Sequence, residues 1–503
     1  MKIESEKIEL PNSWAAVKLG DFVENEKGKK PKNESKTETD SHHIPYVDIQ
    51  AFEENVIRTW TDGVGCRVCY ETDFLMVWDG SRSGLVGKGM NGALGSTLVR
   101  IYFPSMVNDY AFYFLQSKYQ QINTRAKGVG IPHVDPALLW NYDFPIAPLN
   151  EQKCIVAKIE ELFSELDKGI ENLKTARAQL KVYRQALLKH AFEGKLTAQW
   201  RAENQDKLET ADALQKRIQQ ERAQRYQRQL ADWQTNGGSK PKAPKPLPPL
   251  TAEELAELPE LPEGWGWCKW EDILVSEKGA FKRGPFGSAL KKEFFVKSGY
   301  KVYEQYCPIN DDCSFERYYI SDEKFRELEG FSVRAEDFLV SCSGVTLGRI
   351  TQVPLNFKEG IINQALLRVR VNSAIYDFQF FKTFFRSRYF QKRIFENSTG
   401  TAIPNVKGVN ELKAIPLPLC SLLEQQQIVL ELEARLSEVD QLDQTITASL
   451  QQAEALRQSI LKKAFSGQLV PQDPHDEPAS ALLARIRAER EQSDRPKRGR
   501  KSL

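Results

Sequence analysis

The amino-acid sequence contains one long module that occurs twice. Residues 10–22, which begin Leu-Pro-Asn-Ser-Trp, return as residues 261–273, which begin Leu-Pro-Glu-Gly-Trp. Residues 151–196 match residues 424–469 without a gap, and both segments open with Glu-Gln and close with Ala-Phe-x-Gly-x-Leu. Each copy must bury the same apolar positions, so a repeat of this length constrains the whole fold. We predict two similar halves with an internal pseudo-twofold relationship.

The first part of each copy has the pattern of a mixed helix and strand domain. Short apolar or aromatic runs alternate with Gly, Pro, Asn and Asp, which is typical of strands joined by turns. A short aromatic helix is predicted at residues 109–121 in one copy and 377–395 in the other, with its Phe and Tyr side chains in the core. We therefore predict two α+β domains, at residues 1–150 and 261–420.

The second part of each copy predicts a long amphipathic helix, within residues 151–197 and 421–469. Apolar residues recur mostly at intervals of three and four among charged residues, no proline interrupts them, and a glycine follows. A helix of about 38 residues is roughly 57 Å long at about 1.5 Å per residue. Two such apolar stripes bury each other most simply as an antiparallel coiled-coil pair.

Two segments lie outside the repeated parts. Residues 198–260 are predicted to form a charged helical insert followed by a Pro-rich linker of semi-rigid character. Residues 470–503 are predicted to form a tail that is helical and then basic and disordered.

Composition excludes several classes of protein. The 70 basic and 68 acidic residues nearly cancel, so any surface for a polyanion must be local. The eight cysteines are scattered over 503 residues, which favours reduced thiols over a disulfide framework. No stretch approaches the roughly 18 apolar residues of a membrane span. We expect a soluble, cytoplasmic protein.

The motifs of catalysis are missing. Residues 80–88 are glycine-rich but lack the spacing of a phosphate-binding loop. Cys66 and Cys69 have no second Cys or His pair at zinc spacing, and the five histidines form no triad or ligand pattern. Neither a methyltransferase cofactor loop with its base-flipping motif nor a nuclease carboxylate cluster is recognisable. We predict no catalytic residue and no metal site in this chain.

Basic residues do occur on glycine-containing loops, above all at residues 282–292. Arg and Lys on such loops pair with guanine in the major groove or neutralise phosphates. Taken alone, the loop is better explained as a solvated basic turn. Its occurrence in a duplicated module favours nucleic-acid binding.

Together these features resemble the specificity subunit of type I restriction-modification systems. The resemblance covers almost the whole chain. It rests on Lys282–Lys292, on the Ser-x-Ser-Gly loops at Ser81 and Ser341, on Ile131-Pro132 and Ile403-Pro404 ahead of the helices, and on the two Ala-Phe-x-Gly-x-Leu helix ends.

The resemblance implies two target-recognition domains, each reading one half of a bipartite DNA target, on helices that fix the gap. It implies a non-catalytic chain that binds two modification subunits, which hold S-adenosylmethionine and methylate adenine. It further implies restriction subunits, the endonuclease and translocase, which use ATP and Mg²⁺. The chain itself is expected to hold no cofactor.

Two half-sites about one helical turn apart lie roughly 34 Å apart on one face of the duplex, a distance that a rigid helix pair can set. The residues that we expect to contact DNA lie on the basic and glycine-rich loops and on the segments that precede each long helix. They are Arg82, Lys88, Arg125, Lys127, His133, Lys282, Arg283, Ser288, Lys291, Lys292, Ser398, Thr399 and Asn405.

Two alternatives stay open at this point. In the first alternative to a specificity subunit, the chain is a self-contained methyltransferase or nuclease whose motifs are unrecognised. In the second, it is a coiled-coil scaffold without DNA specificity. The bases read and the spacer length do not follow from the sequence, because base choice depends on the exact placement of side chains and on DNA deformability.

Overall fold

The computed structural model of the chain describes residues 9–104, 106–128, 130–243, 248–344, 346–395 and 406–493, with side chains to residue 489. These residues form two compact units. Unit 1 comprises residues up to Thr175 together with those from Thr445 onward, and unit 2 comprises Ala176–Gln444. Each long helix is therefore divided between the two units.

Unit 1 begins with eleven short strands and three helices, and the first long helix follows them. They are β1 (Ala15–Lys18), β2 (Glu24–Lys27), β3 (Glu34–Ser35), β4 (Ile44–Val47), α1 (Ile49–Glu54), β5 (Trp60–Thr61), β6 (Val68–Cys69), β7 (Phe74–Val77), β8 (Val86–Lys88), β9 (Gly92–Leu94), β10 (Leu98–Tyr102), α2 (Asn108–Thr124), α3 (Pro136–Leu139), β11 (Asp143–Ile146) and α4 (Leu149–Phe192).

The segment after α4 and the second domain follow in unit 2. Their elements are α5 (Ala198–Glu203), α6 (Ala211–Asn236), α7 (Ala252–Ala256), β12 (Gly266–Lys269), β13 (Phe281–Arg283), β14 (Phe295–Val296), β15 (Tyr300–Tyr303), α8 (Tyr306–Asn310), β16 (Tyr319–Ile320), α9 (Asp322–Glu327), β17 (Phe338–Ser341), β18 (Ile350–Gln352), β19 (Gly360–Ile362), β20 (Leu366–Val369), α10 (Phe378–Arg386), α11 (Arg388–Phe395), α12 (Val409–Lys413) and β21 (Pro416–Leu419). The second long helix, α13 (Leu422–Ala464), and then α14 (Ala479–Ser493) follow.

The predicted α+β class and the duplication are confirmed by the sheets. Each unit has a two-stranded sheet, β1-β11 or β12-β21, and a four-stranded sheet, β2-β10-β7-β8 or β13-β20-β17-β18. A third sheet has the order β3-β5-β4-β9-β6 in unit 1 and β14-β16-β15-β19 in unit 2. The registers also repeat, since Ala15 pairs with Ile146 as Gly266 pairs with Leu419.

The aromatic side chains of these helices lie in the core, as predicted. In α2 the rings of Tyr110, Phe112 and Phe114 are buried, and in α10 four Phe side chains are buried. The region predicted as one helix at residues 377–395 is in fact two, because Ser387 adopts an extended backbone between α10 and α11.

The long helices run antiparallel to each other, as predicted. In unit 2, Arg177 forms two hydrogen bonds with Asp443, and Arg184 forms two with Asp440, so residue numbers rise on one helix as they fall on the other. In unit 1, Arg457 pairs with Asp167 and lies over the ring of Phe163, 4.5 Å from its centroid. At 44 and 43 residues, the helices are each about 65 Å long by the ordinary rise of about 1.5 Å per residue.

The segment that follows each long helix enters the core of a domain. After α4, the side chains of Ala211, Leu214 and Ile218 are buried in the core of unit 2. After α13, Ala479, Leu482 and Ile486 are buried in the core of unit 1. The docking contacts are equivalent, because Ala211 N donates to Gly264 O at 2.8 Å and Ala479 N donates to Ser13 O at 2.9 Å.

All eight cysteines are free of disulfides. No helix within the described residues is both long and apolar enough to cross a membrane.

Candidate nucleic-acid interface

Three chain segments meet at one end of the four-stranded sheet in unit 1. Strands β2 and β7 both pair antiparallel to β10, so they run in the same direction and their carboxyl ends lie at the same end of the sheet. Lys27 Nζ at the end of β2 lies 2.7 Å from Asp79 Oδ2 in the loop after β7. That loop joins residues 126–135 through Gly80 N, which donates to Pro132 O at 2.7 Å. We call this end of the sheet, with its three loops, the loop edge.

Unit 2 has the same loop edge. Strands β13 and β17 both pair antiparallel to β20. Arg283, at the end of β13, lies near the buried Cys342 thiol. Burial raises the pKa of that thiol to about 12, and the positive charge of Arg283 partly offsets the rise. Val406 N donates to Cys342 O at 3.1 Å, which attaches the segment ahead of α12. In unit 2 these are three segments that the sequence singled out separately, whereas in unit 1 the sequence singled out only two of the three.

The loops after β7 and β17 turn on equivalent glycines. Gly84 N donates to Val77 O at 2.7 Å, as Gly348 N donates to Ser341 O at 3.0 Å. Both glycines have positive φ, 91° and 67°, a conformation that favours glycine. The pairing of Ser81–Gly84 with Ser341–Gly344 inferred from the Ser-x-Ser-Gly motif is thus wrong by four residues, since Ser341 still belongs to strand β17. The four-residue motif occurs in both loops but at different distances from the end of the strand. The backbone hydrogen bonds of the strands, not the motif, show which residues of the two loops are equivalent.

The predicted residues of unit 1 are only partly brought together. Arg82, Lys127 and His133 lie on the loop edge, and Arg125 is exposed at the end of α2 beside it. His133 and Lys127 exchange backbone hydrogen bonds of 2.9 and 2.7 Å. Lys88 is different, because it pairs with Phe74 at the start of β7 and so lies at the opposite end of the sheet.

In unit 2, Lys282 and Arg283 occupy β13, while Ser288, Lys291 and Lys292 are exposed beyond the turn that follows it. Lys282 Nζ lies 3.8 Å from the centroid of the Phe331 ring. Partial burial, followed by the nearby charges of Arg368 and Lys278, lowers the pKa of Lys282. Ser398, Thr399 and Asn405 fall outside the described residues.

Several cations near the loop edge are held by carboxylates. Arg82 pairs with Glu53 and Lys127 with Asp135, each at 2.8 Å. In both pairs the cation is exposed and the carboxylate is largely buried, and ion pairs at a surface contribute only about 0–1 kcal/mol to stability. A phosphate that approaches either cation could therefore replace the carboxylate at a small cost in free energy. These ion pairs thus orient the two cations and still leave them able to bind a phosphate.

Sequence reasoning missed one basic loop. Gly28 N donates to Leu98 O at 3.0 Å and Gly284 N to Leu366 O at 2.8 Å, which makes Gly28 the counterpart of Gly284. Both glycines are required by close packing, because a Cβ would lie 2.2 Å from Gly95 O or 1.8 Å from Asn363 O. Lys29, Lys30 and Lys32 follow Gly28 and are exposed. The sequence did contain a sign of this loop, because a run of lysines surrounds a Gly and a Pro directly after strand β2.

Among the described residues, no group of three or more His, Cys, Asp and Glu side chains is arranged to hold a metal ion. The loop edge offers cations, backbone amides and hydroxyls, which are the groups that bind DNA phosphates and base edges.

Comparison with known proteins agrees with this chemistry. Residues 11–175 match the family described as type I restriction modification DNA specificity domain. The specificity subunit of the type I restriction enzyme MjaVIII from Methanocaldococcus jannaschii is 30% identical over 191 residues, which cover 36% of this chain and 45% of that protein. The EcoBI specificity subunit of Escherichia coli is 25% identical over 86% of this chain and 83% of its own length.

This chain is similar to type I specificity subunits over most of its length. The fold agrees, since a chain solved in a study of complex assembly and conformational transition of the type I R-M system superposes with a TM-score of 0.61, covering 92% of this chain and 100% of its own at 16% identity. The HsdS subunit of Thermoanaerobacter tengcongensis gives a TM-score of 0.50 at 17% identity, covering 92% of this chain and 99% of its own.

Proposed function

We propose that each unit reads one half of a bipartite DNA target through its loop edge. The observation that carries the proposal is the convergence of three segments at the end of one sheet in both units. In unit 1 they bring together Arg82, Lys127 and His133 with the lysines after Gly28. In unit 2 they bring Arg283 beside the loop that begins at Cys342.

The division of labour follows from the kinds of group present. Lysines on the exposed loops neutralise phosphates and set affinity, whereas Arg side chains on the anchored turns have the planar donors that suit guanine edges. Lys88, at the far end of its sheet and paired with Asp109, is a phosphate contact at most. The domain boundaries that accompany this proposal are residues 1–150 and 261–420, with residues 198–260 and 470–503 as connecting and terminal segments.

The two long helices complete the proposal. They hold the two readers at a fixed interval and dock two modification subunits, which carry S-adenosylmethionine. Restriction subunits that use ATP and Mg²⁺ join the same complex. We place this assembly in the cytoplasm, with the host DNA that it modifies.

Selection from random DNA tests the proposal directly. The full chain, alone and with its modification subunits, is incubated with a library of duplexes randomised over 40 base pairs, and bound duplexes are sequenced. We expect two short motifs separated by a constant number of unread positions. Enrichment of a single motif, or of none in either condition, would refute the two-reader proposal and favour a scaffold without DNA specificity.

Methyl-transfer and cleavage assays on the same purified chain provide the second arm. We expect neither activity without partner subunits. Activity of the chain alone would instead support a self-contained enzyme.

A further inference from the structure

Phe286 is the most exposed large apolar side chain in the described part of the chain, with 89% of its surface open to solvent. A Phe side chain left in water forgoes the favourable free energy of burying its apolar surface. Leu355, the next most exposed at 78%, lies after β18 at the opposite end of the four-stranded sheet. Phe286 thus combines extreme exposure with a position on the loop edge.

The turn that carries Phe286 is anchored on both sides. Gly284 packs against the backbone of Asn363, and Pro285 is buried. On the other side, Ala289 N donates to Phe286 O at 2.8 Å, and Leu290 is buried. The ring therefore projects from a fixed turn, which lowers the entropy cost of binding through it.

The charged residues that flank Phe286 in the sequence indicate which kind of partner the ring contacts. Residues 282–293 include four basic side chains and one acidic side chain, Glu293, which lies 3.5 Å from Lys291. A purely apolar protein surface offers nothing to the net positive charge of this segment, whereas DNA supplies phosphates beside an apolar stack of bases. Apolar side chains of some DNA-binding proteins are inserted between base steps in this way, and the insertion unstacks and kinks the duplex.

We propose that Phe286 is a wedge that inserts into one base step of the half-site read by unit 2, unstacking and bending the duplex there. The inference rests on the proposed function of the loop edge. Pyrimidine–purine steps unstack most easily, so the wedge selects a flexible step without hydrogen bonds to its bases. Unit 1 lacks this device at the equivalent position, because counting from Gly28 and Gly284 places Lys30 where Phe286 stands.

Fluorescence of 2-aminopurine tests the wedge. The probe replaces single bases, one duplex at a time, in the target obtained by selection with the full chain. With the wild type we expect a rise in fluorescence of several fold at one step of one half-site, because unstacking relieves quenching. Phe286→Ala should abolish the rise and weaken binding roughly tenfold, the usual effect of losing one aromatic–base stack.

Phe286→Trp should preserve the rise, and Leu355→Ala serves as the matched exposed control that changes neither readout. Since the Phe286 ring makes little contact with the fold, unchanged thermal unfolding should accompany Phe286→Ala. If wild type selects a bipartite target but Phe286→Ala retains both fluorescence and affinity, the wedge alone is wrong. If wild type selects no DNA, the proposed function and the wedge fall together. Binding to anionic phosphatidylglycerol vesicles that depends on Phe286, with DNA affinity unaffected by the substitution, would also overturn the wedge.

Discussion

Trp265 Nε1 donates a hydrogen bond to Glu424 Oε2 at 2.8 Å, at the point where the second domain meets its long helix. The first domain repeats this contact, since Trp14 Nε1 donates to Glu151 Oε2 at 2.9 Å. The other carboxylate oxygens differ. Glu424 Oε1 accepts from Thr197 at 2.8 Å and from Arg201 at 2.7 Å, whereas Glu151 Oε1 is buried without a hydrogen-bond partner.

This asymmetry predicts unequal effects of the same substitution at the two positions. Glu424→Gln should destabilise the chain by about 3 kcal/mol, because it leaves the largely buried Arg201 guanidinium without its counter-charge. Glu151→Gln should be close to neutral at pH 7, since the amide keeps an acceptor for Trp14 and removes a buried charge. Urea unfolding, with hydrogen exchange to localise the loss to either domain, measures both. Equal destabilisation by the two substitutions would contradict the prediction.

The pH dependence at Glu151 has a definite sign. Burial raises the pKa of Glu151 above its ordinary value, and the hydrogen bond from Trp14 only partly offsets this. The folded state therefore holds the proton more tightly than the unfolded state, and this group's contribution to stability falls as pH rises through the raised pKa. Relative to wild type, Glu151→Gln should gain stability between the ordinary carboxyl pKa and neutral pH. A constant difference across that range would show that Glu151 does not titrate in the fold.

The glycines that end the long helices give a third prediction. Gly194 and Gly467 have positive φ, 67° and 73°, and a Cβ would lie 2.5 Å from Pro262 Cγ or 2.4 Å from Pro11 Cγ. Either glycine replaced by alanine should cost about 1–3 kcal/mol, from backbone strain and from displacement of the proline. The matched control is Gly169→Ala within α4, where a Cβ meets nothing within 4 Å. That substitution should instead stabilise by up to about 1 kcal/mol in a denaturant titration.

Local patterns predicted much of this fold, and long-range contacts account for what they missed. The long helices were predictable because an apolar stripe repeats every three or four residues over many turns. The short strands have too few residues for a pattern to fix their register, so alignment on the Ser-x-Ser-Gly motif misplaced the loop after β7 relative to the loop after β17. For the same reason, the equivalence of Gly28 and Gly284, and with it the lysines after Gly28, could not be found from the sequence. Nor does any feature of residues 479–493 indicate that Ala479 docks beside Ser13, more than 450 residues away.

Lys29, Lys30 and Lys32 provide a direct test of the loop edge in unit 1. If all three neutralise phosphates, replacing them by glutamine should reduce the slope of log affinity against log salt by up to about 2.7, at about 0.9 per phosphate. The control triple is Lys153, Lys174 and Lys181, which are exposed on α4. Fluorescence anisotropy on the selected duplex at several salt concentrations measures the slopes. Identical slopes for the two triple variants would place the phosphates elsewhere.

Exchange of one domain tests whether the two readers are independent. Replacing residues 1–150 by the matching domain of a relative with a different target should change one half-site and preserve the other half-site and the spacer. A narrower exchange of residues 24–139 keeps β1, β11 and the contact between Trp14 and Glu151, so the packing of the domain on its helix is retained. Residues 281–413 offer the reciprocal exchange in unit 2. The selected sequences decide the matter, because a change in both half-sites after either single exchange would mean that the units do not read DNA separately.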